Sequence, residues 1–178
     1  MECAVEEPRI RAIIALDATV RPTVNLPEKA GLKILVLLGK AKRFLTGKGL
    51  RLSMVNTFKK IEVASDPAIN KNWGQDPRIL EMWSSWPMPG AVESVIVDTI
   101  DRVHKISVPT LVLHGADDKV DPPETAHLLF EALTCAKQLN IIPCNGHLGH
   151  LDRNKMMVLN LSAQWALRHL NTNHMKSP

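Results

Sequence analysis

Three apolar runs organise the chain, and each stops at a polar or glycine-containing break. Residues 10–16 carry Ile10, Ile13, Ile14, Ala15 and Leu16 and end before Asp17; residues 110–114 carry Leu111, Val112 and Leu113 and end at His114-Gly115. Residues 138–142 close on Ile141 and Ile142, just before Asn145-Gly146-His147. Near-continuous apolarity over so few positions predicts strands covered on both faces, as in parallel sheets. Between the second and third runs, residues 122–135 open with Pro122-Pro123-Glu124 and predict a helix, because proline suits a first helical turn. After the third, residues 153–170 place Met157, Val158, Leu161, Trp165 and Leu170 at helical spacing. Strand, helix, strand, helix in this order predicts a βαβ unit and an α/β fold of about three parallel strands.

Residues 18–105 follow a different pattern. Pro22, Pro27, Pro67, Pro77, Pro87 and Pro89 interrupt it, and it predicts a helical cap inserted between the first two strands. Ile34, Leu38, Ala41 and Leu45 form one stripe at helical spacing, with Lys29, Lys33, Lys40 and Arg43 mainly opposite, so a basic amphipathic helix is expected there, weakened by Gly31 and Gly39. Further helices are expected over residues 76–86 and 90–104. Residues 1–8 read as a last helical turn stopped before Pro8, and 171–178 as a polar tail. The whole is expected to be one partial domain, with the cap at 18–105 and the C-terminal core at 106–170.

Composition narrows the class. In 178 residues, 45% hydrophobic and 22% charged content is that of one globular domain. The formal charge of +4 is concentrated between Lys29 and Lys60, a local bias without the repeated basic-aromatic pattern of a nucleic-acid surface. It leaves room for peripheral contact of the cap with an anionic membrane. Cys3, Cys135 and Cys144 have no metal-ligand spacing and cannot all pair, which points to a reducing, cytoplasmic setting. The first residues lack a secretory signal pattern, and the longest strictly apolar run, residues 34–38, is too short to cross a bilayer.

The candidate chemistry lies in the loops. In a parallel sheet the loops after the strands' carboxyl ends share one rim. Asp117 and Asp118 follow the strand ending at His114, and His147 follows the next strand, so a carboxylate can hold an imidazole through its Nδ1–H. Taken singly, Asp118 could equally initiate a turn, and His147 could be a satisfied loop histidine. His114, His127 and His150, with Asp117, Asp118 and Asp121, match no closed metal-ligand spacing, and no metal is expected. Trp73, Trp83 and Trp86 read as cap packing.

Residues 66–170 resemble the C-terminal half of an α/β-hydrolase, nearest the monoacylglycerol lipase and lysophospholipase-like branch. The resemblance rests on His114-Gly115-Ala116-Asp117-Asp118, on Gly146-His147 with Asp152 five residues later, and on the paired Asp66-Pro67 and Asp76-Pro77. It implies a carboxylic ester hydrolase acting on a small-molecule or lipid ester, with Asp118 as acid, His147 as base, His150 on the rim and no cofactor. That family carries its nucleophile in Gly-x-Ser-x-Gly, before the acid and the histidine in chain order. No Gly-x-Ser-x-Gly occurs here, and Ser84-Ser85, between Trp83 and Trp86, is the only serine pair with a rim-like context. The expectation is therefore a C-terminal half whose Met1 falls just beyond the elbow serine. The nucleophile would then come from elsewhere, or the chain would be an inactive fragment or interaction module with an exposed sheet edge to cover.

Overall fold

The computed structural model describes residues 7–21, 26–84, 86–88 and 99–170. Their elements in chain order are β1 (Ile13–Leu16), α1 (Leu26–Thr46), β2 (Leu50–Leu52), α2 (Val55–Phe58), α3 (Pro67–Gln75) and α4 (Pro77–Ser84). There follow β3 (Trp86–Met88), α5 (Ile100–Val103), β4 (Thr110–Gly115), α6 (Glu124–Ala132), β5 (Lys137–Ile142) and α7 (Lys155–Leu170). The chain divides into two compact units: Met1–Val20, Glu62–Ile69 and Thr99–Pro178 form the first, and Arg21–Ile61 with Asn70–Asp98 the second.

The first unit is built on β4. Every residue of this strand is buried, and it lies between β1 and β5 in a three-stranded, wholly parallel sheet of order β1-β4-β5. Because side chains alternate across a strand, β4 feeds two cores. Val112 packs with Val103, Ile106, Ala126, Leu129 and Leu133 on the face covered by α5 and α6. Leu111 and Leu113 pack with Ile142, Val158 and Trp165 on the face covered by α7. The sheet is thus sandwiched between helices, the α/β arrangement that the apolar runs predict.

Several boundaries differ from expectation. β1 starts at Ile13 rather than residue 10, since Glu7 and Arg9 close a turn in which the Ile10 N–H donates to the Glu7 carbonyl at 3.2 Å. Its faces are unequally covered: Ala15 is buried, but Ile14 remains 39% exposed. On α7, Val158 and Trp165 are buried, while Met157 and Leu170 face outward.

The second unit is not purely helical. β2 and β3 form an antiparallel pair, with Leu50 opposite Met88 and Leu52 opposite Trp86, so Trp86 lies in a strand rather than at the end of a helix. Each Asp-Pro pair, one in the first unit and one in the second, opens a helix: the Asp66 carboxylate accepts the Ala68 N–H at 2.8 Å at the start of α3, and Asp76 accepts the Arg78 N–H at 2.9 Å at the start of α4. Aspartate caps the free amides and proline occupies the first turn, where no amide is needed. Helix α1 runs through Gly31 and Gly39 as expected, but the stripe is reversed. Val36 is buried with Leu32, Leu50 and Leu52, whereas Ile34, Leu38 and Leu45 point outward. Of the helix expected over 90–104, α5 is the described part; residues 90–98, the tail and residues 1–6 lie outside the described residues.

The H-G ending of β4 has a steric cause. A Cβ on Gly115 would run into the backbone carbonyl oxygens of Asn145 and Gly146, so Gly115→Ala is expected to destabilise the chain by at least about 2 kcal/mol. Gly31→Ala in α1 meets nothing within 4 Å and is expected to be neutral or stabilising by up to about 1 kcal/mol. Urea midpoints of the two variants check the contrast; equal effects would contradict it.

Candidate active site

The loop after β4 is fastened to the loop after β5. Ala116 N–H donates to the Ile142 carbonyl at 2.9 Å, and Asp117 N–H to the Asn145 carbonyl at 2.8 Å. Within the first loop the two oxygens of Asp118 divide their work. Oδ1 accepts the backbone N–H groups of Val120 at 2.8 Å and Asp121 at 2.9 Å, shaping the turn. Oδ2 accepts the Nδ1–H of His147 at 2.9 Å. The turn-forming and histidine-holding readings of Asp118 are therefore both realised, one on each oxygen. Nε2 of His147 makes no hydrogen bond among the described residues, and the side chain is 27% exposed.

The His147 loop is anchored by Asp152. This carboxylate is 1% exposed and accepts N–H groups from Ser65 at 2.6 Å, Gly146 at 2.7 Å, Arg153 at 2.9 Å and Asp66 at 3.1 Å. Leu148 N–H adds a bond to the Val63 carbonyl at 2.8 Å. Gly146 is required by the close approach of residues 63–65, since a Cβ would sit 2.8 Å from Ala64 Cα. The acidic residue of the Gly-His motif thus serves as a backbone clamp.

Electrostatics follow from these bonds. Burial pushes the Asp118 carboxyl up, but hydrogen bonds from His114, His147 and the Asp121 N–H outweigh it and leave the group well below the usual carboxylate range. His147 is raised, first by its hydrogen bond to Asp118, against burial, and further by the charges of Asp118, Asp121 and Asp17. For Asp152, burial acts upward and the backbone N–H groups of Gly146, Ser65, Arg153 and Asp66 bring it below the ordinary value.

Other candidates fall elsewhere. Asp117 is exposed and accepts the Ser65 hydroxyl at 3.1 Å. His150 is exposed, as is His127 on α6. The Ser84 hydroxyl donates to its own helix, at the Glu81 carbonyl, 2.7 Å away, and Ser85 lies outside the described residues. Two further participants are Asp17, which the sequence places only at a strand end, and His114, which it offers only as a metal-donor candidate. With Asp118 they form the one group of potential metal donors among the described residues. Their carboxylate oxygens are already directed at N–H donors: Gly115 at 3.1 Å and Gly149 at 3.4 Å on Asp17, with Val120, Asp121 and His147 on Asp118. With both carboxylates so engaged, the group suits a hydrogen-bonded network better than a cation.

A parallel sheet sandwiched between helices, with an aspartate after one strand holding a histidine after the next, has the topology of an α/β-hydrolase. The serine aminopeptidase, S33 family model matches residues 2–154, and the chain belongs to that family. It is similar in structure to the monoacylglycerol lipase of Paleococcus ferrophilus, with 21% identity, a TM-score of 0.66, and coverage of 94% of this chain and 63% of that one. The α/β hydrolase GrgF of Penicillium sp. sh18 gives 23% identity and a TM-score of 0.68, covering 94% of this chain and 58% of the other. The esterase EaEST of Exiguobacterium antarcticum gives 20% identity and a TM-score of 0.58, covering 89% and 58%. The chain therefore spans about three fifths of the length of these structures. No curated protein sequence matches it. No described helix is long and apolar enough to cross a membrane.

The linked ionisations predict a pH dependence. A depressed Asp118 pKa stabilises the fold above the ordinary carboxylate pKa, and that contribution is lost as pH falls through the folded value. A raised His147 pKa stabilises below about pH 6.5 and is lost as pH rises through the folded value. Asp118→Asn removes both, so the stability advantage of the wild type over this variant is expected to be largest between about pH 5 and 6 and to shrink on either side. Urea midpoints from acid to alkaline pH check it; a pH-independent difference would contradict the pairing.

Proposed function

We propose that this chain contributes the acid and base of a carboxylic ester hydrolase, with Asp118 orienting His147. The observation that carries the reading is the 2.9 Å bond from His147 Nδ1 to Asp118 Oδ2, which leaves Nε2 directed away from the carboxylate and able to exchange protons. Nε2 takes the proton of an attacking serine hydroxyl, and Asp118 stabilises the resulting imidazolium. His147 then protonates the departing alkoxide, and a water activated by the same nitrogen releases the acid. These 178 residues contain no Gly-x-Ser-x-Gly. The serine is therefore assigned to residues outside them, in the same polypeptide or in a partner chain laid along the side of β1 that pairs with no other described strand.

A lipid ester, such as a monoacylglycerol or lysophospholipid, is the substrate class we favour. Helix α1 supports it. Phe44 is 90% exposed, Leu45 78%, Leu37 67% and Ile34 59%, and exposed Lys33, Lys40, Lys42 and Arg43 share the helix. An apolar stripe flanked by lysines suits the surface of an anionic lipid layer, with the second unit as the lipid-facing part.

The test uses the protein recovered from its own cells through a tag on this chain, assayed with short-chain p-nitrophenyl esters. Turnover is expected, with His147→Ala lowering kcat about 10³- to 10⁴-fold and His150→Ala leaving it unchanged. Because the base must be neutral and its pKa is raised, the acid limb of the rate profile should lie above about pH 6.5. Absence of turnover in the recovered protein, or equal effects of the two substitutions, would overturn the proposal.

A further inference from the structure

Behind the Asp118–His147 pair lies a second, wholly buried imidazole. His114 is the penultimate residue of β4 and has no exposed surface. Its Nε2 is 2.8 Å from the Asp121 carbonyl oxygen, and since a carbonyl can only accept, Nε2 carries a hydrogen. The same nitrogen is 3.3 Å from Asp118 Oδ2, the oxygen that His147 addresses from the other side. Among the described residues Nδ1 of His114 has no hydrogen-bond partner; it faces Asp17 Oδ1 at 4.0 Å. A buried ring nitrogen left without a partner calls for a reason.

Asp17 is itself placed with care. At the end of β1 it takes the left-handed backbone conformation, φ 47°, which aspartate tolerates better than most residues. From there its carboxylate accepts the Gly115 N–H at the end of β4 and the Gly149 N–H in the His147 loop. One buried side chain thus ties the ends of β1 and β4 to the His147 loop.

We infer that His114, backed by Asp17, is a positioning residue: its ring, fixed by the Nε2–H bond to the Asp121 carbonyl, sets a positively polarised edge 3.3 Å from Asp118 Oδ2 and holds that oxygen in the direction of the His147 ring. For catalysis this rests on the proposed acid–base reading, whereas the geometry of the row Asp17, His114, Asp118, His147 does not. The ionisations agree with it. Burial alone would depress His114, yet its bonds to Asp118 and the Asp121 carbonyl, with the two carboxylate charges, raise it. Burial raises Asp17 against the Gly115 N–H and the nearby His114. Nδ1 faces the Asp17 carboxylate at 4.0 Å, close enough to feel its charge and too far for a hydrogen bond.

The two roles open to His114 move His147 in opposite directions. Removing a mere competitor for Oδ2 would concentrate the carboxylate's charge and raise the His147 pKa. Removing the group that holds the carboxylate would lower it. Among the described residues the charged groups acting on His147 are Asp118, Asp121 and Asp17, with the His114 ring 3.3 Å from Asp118 Oδ2.

The experiment is ¹⁵N-edited NMR titration of the histidine rings in the 178-residue chain, with no substrate required. In His114→Phe, which keeps a ring but no donor, the His147 pKa is expected to fall by about half a unit or more, and the sheltered Nδ1–H resonance of His147 to be lost. His114→Gln, which keeps an N–H donor, should recover at least half of the shift. A His147 pKa that is unchanged or raised in a folded His114→Phe overturns the inference. Should that variant not fold, Asp17→Asn decides: the His114 pKa is expected to fall by about one unit, and an unchanged value overturns it. Asp118→Asn separates the levels, since an unmoved His147 there would remove the Asp118–His147 pairing itself, and the inference with it.

Discussion

A carboxylate removed from water must be surrounded by donors, and the first unit is arranged around that requirement. Asp118 is 5% exposed. An unpaired charge at such depth would be neutralised or would unfold the site, yet this one meets two backbone amides and two histidines. Each donor belongs to a segment whose position something else fixes. Val120 and Asp121 sit in the turn itself, His114 at the end of the buried strand β4, and His147 in a loop clamped by Asp152. The carboxylate is therefore held in one orientation by groups that cannot easily move away.

The sheet supplies the distances this requires. Parallel pairing of β4 with β5 brings His114 opposite Ile141 and Gly115 opposite Ile142, so the two loops leave the sheet side by side. Gly115 lets them close on each other without a Cβ between them. Asp17 and Asp152 then do with carboxylates what a longer sheet would do with strands, taking up backbone N–H groups that loops leave unpaired. Three buried aspartates have three tasks: Asp17 joins strand ends, Asp152 clamps the histidine loop, and Asp118 faces the imidazole.

Much of this was legible in the sequence, for identifiable reasons. The apolar runs of β4 and β5 stand out because a strand inside a parallel sheet needs apolar residues on both faces. Asp118 and His147 stand out because their loops follow adjacent strands. Asp17 and His114 did not, since a polar residue at the end of an apolar run looks like a strand terminus until the register shows what it faces. The α1 face was reversed for another reason. That helix has apolar residues on two sides, Leu32 and Val36 on one and Ile34, Leu37, Leu38 and Leu45 on the other, and periodicity finds a stripe without saying which stripe is packed. The β2–β3 pair is only three residues to a strand, too short for alternation to register, and it lies among prolines that read as helix breaks.

The central claim is that Asp118 and His147 act on each other as a held pair rather than as two separately satisfied loop residues. A double-mutant cycle on unfolding free energy measures that directly, with Asp118→Asn, His147→Gln and the double variant compared near pH 5.5. A held pair with a shared hydrogen bond predicts a coupling of about 1–3 kcal/mol. Additivity within about 0.3 kcal/mol would contradict the account.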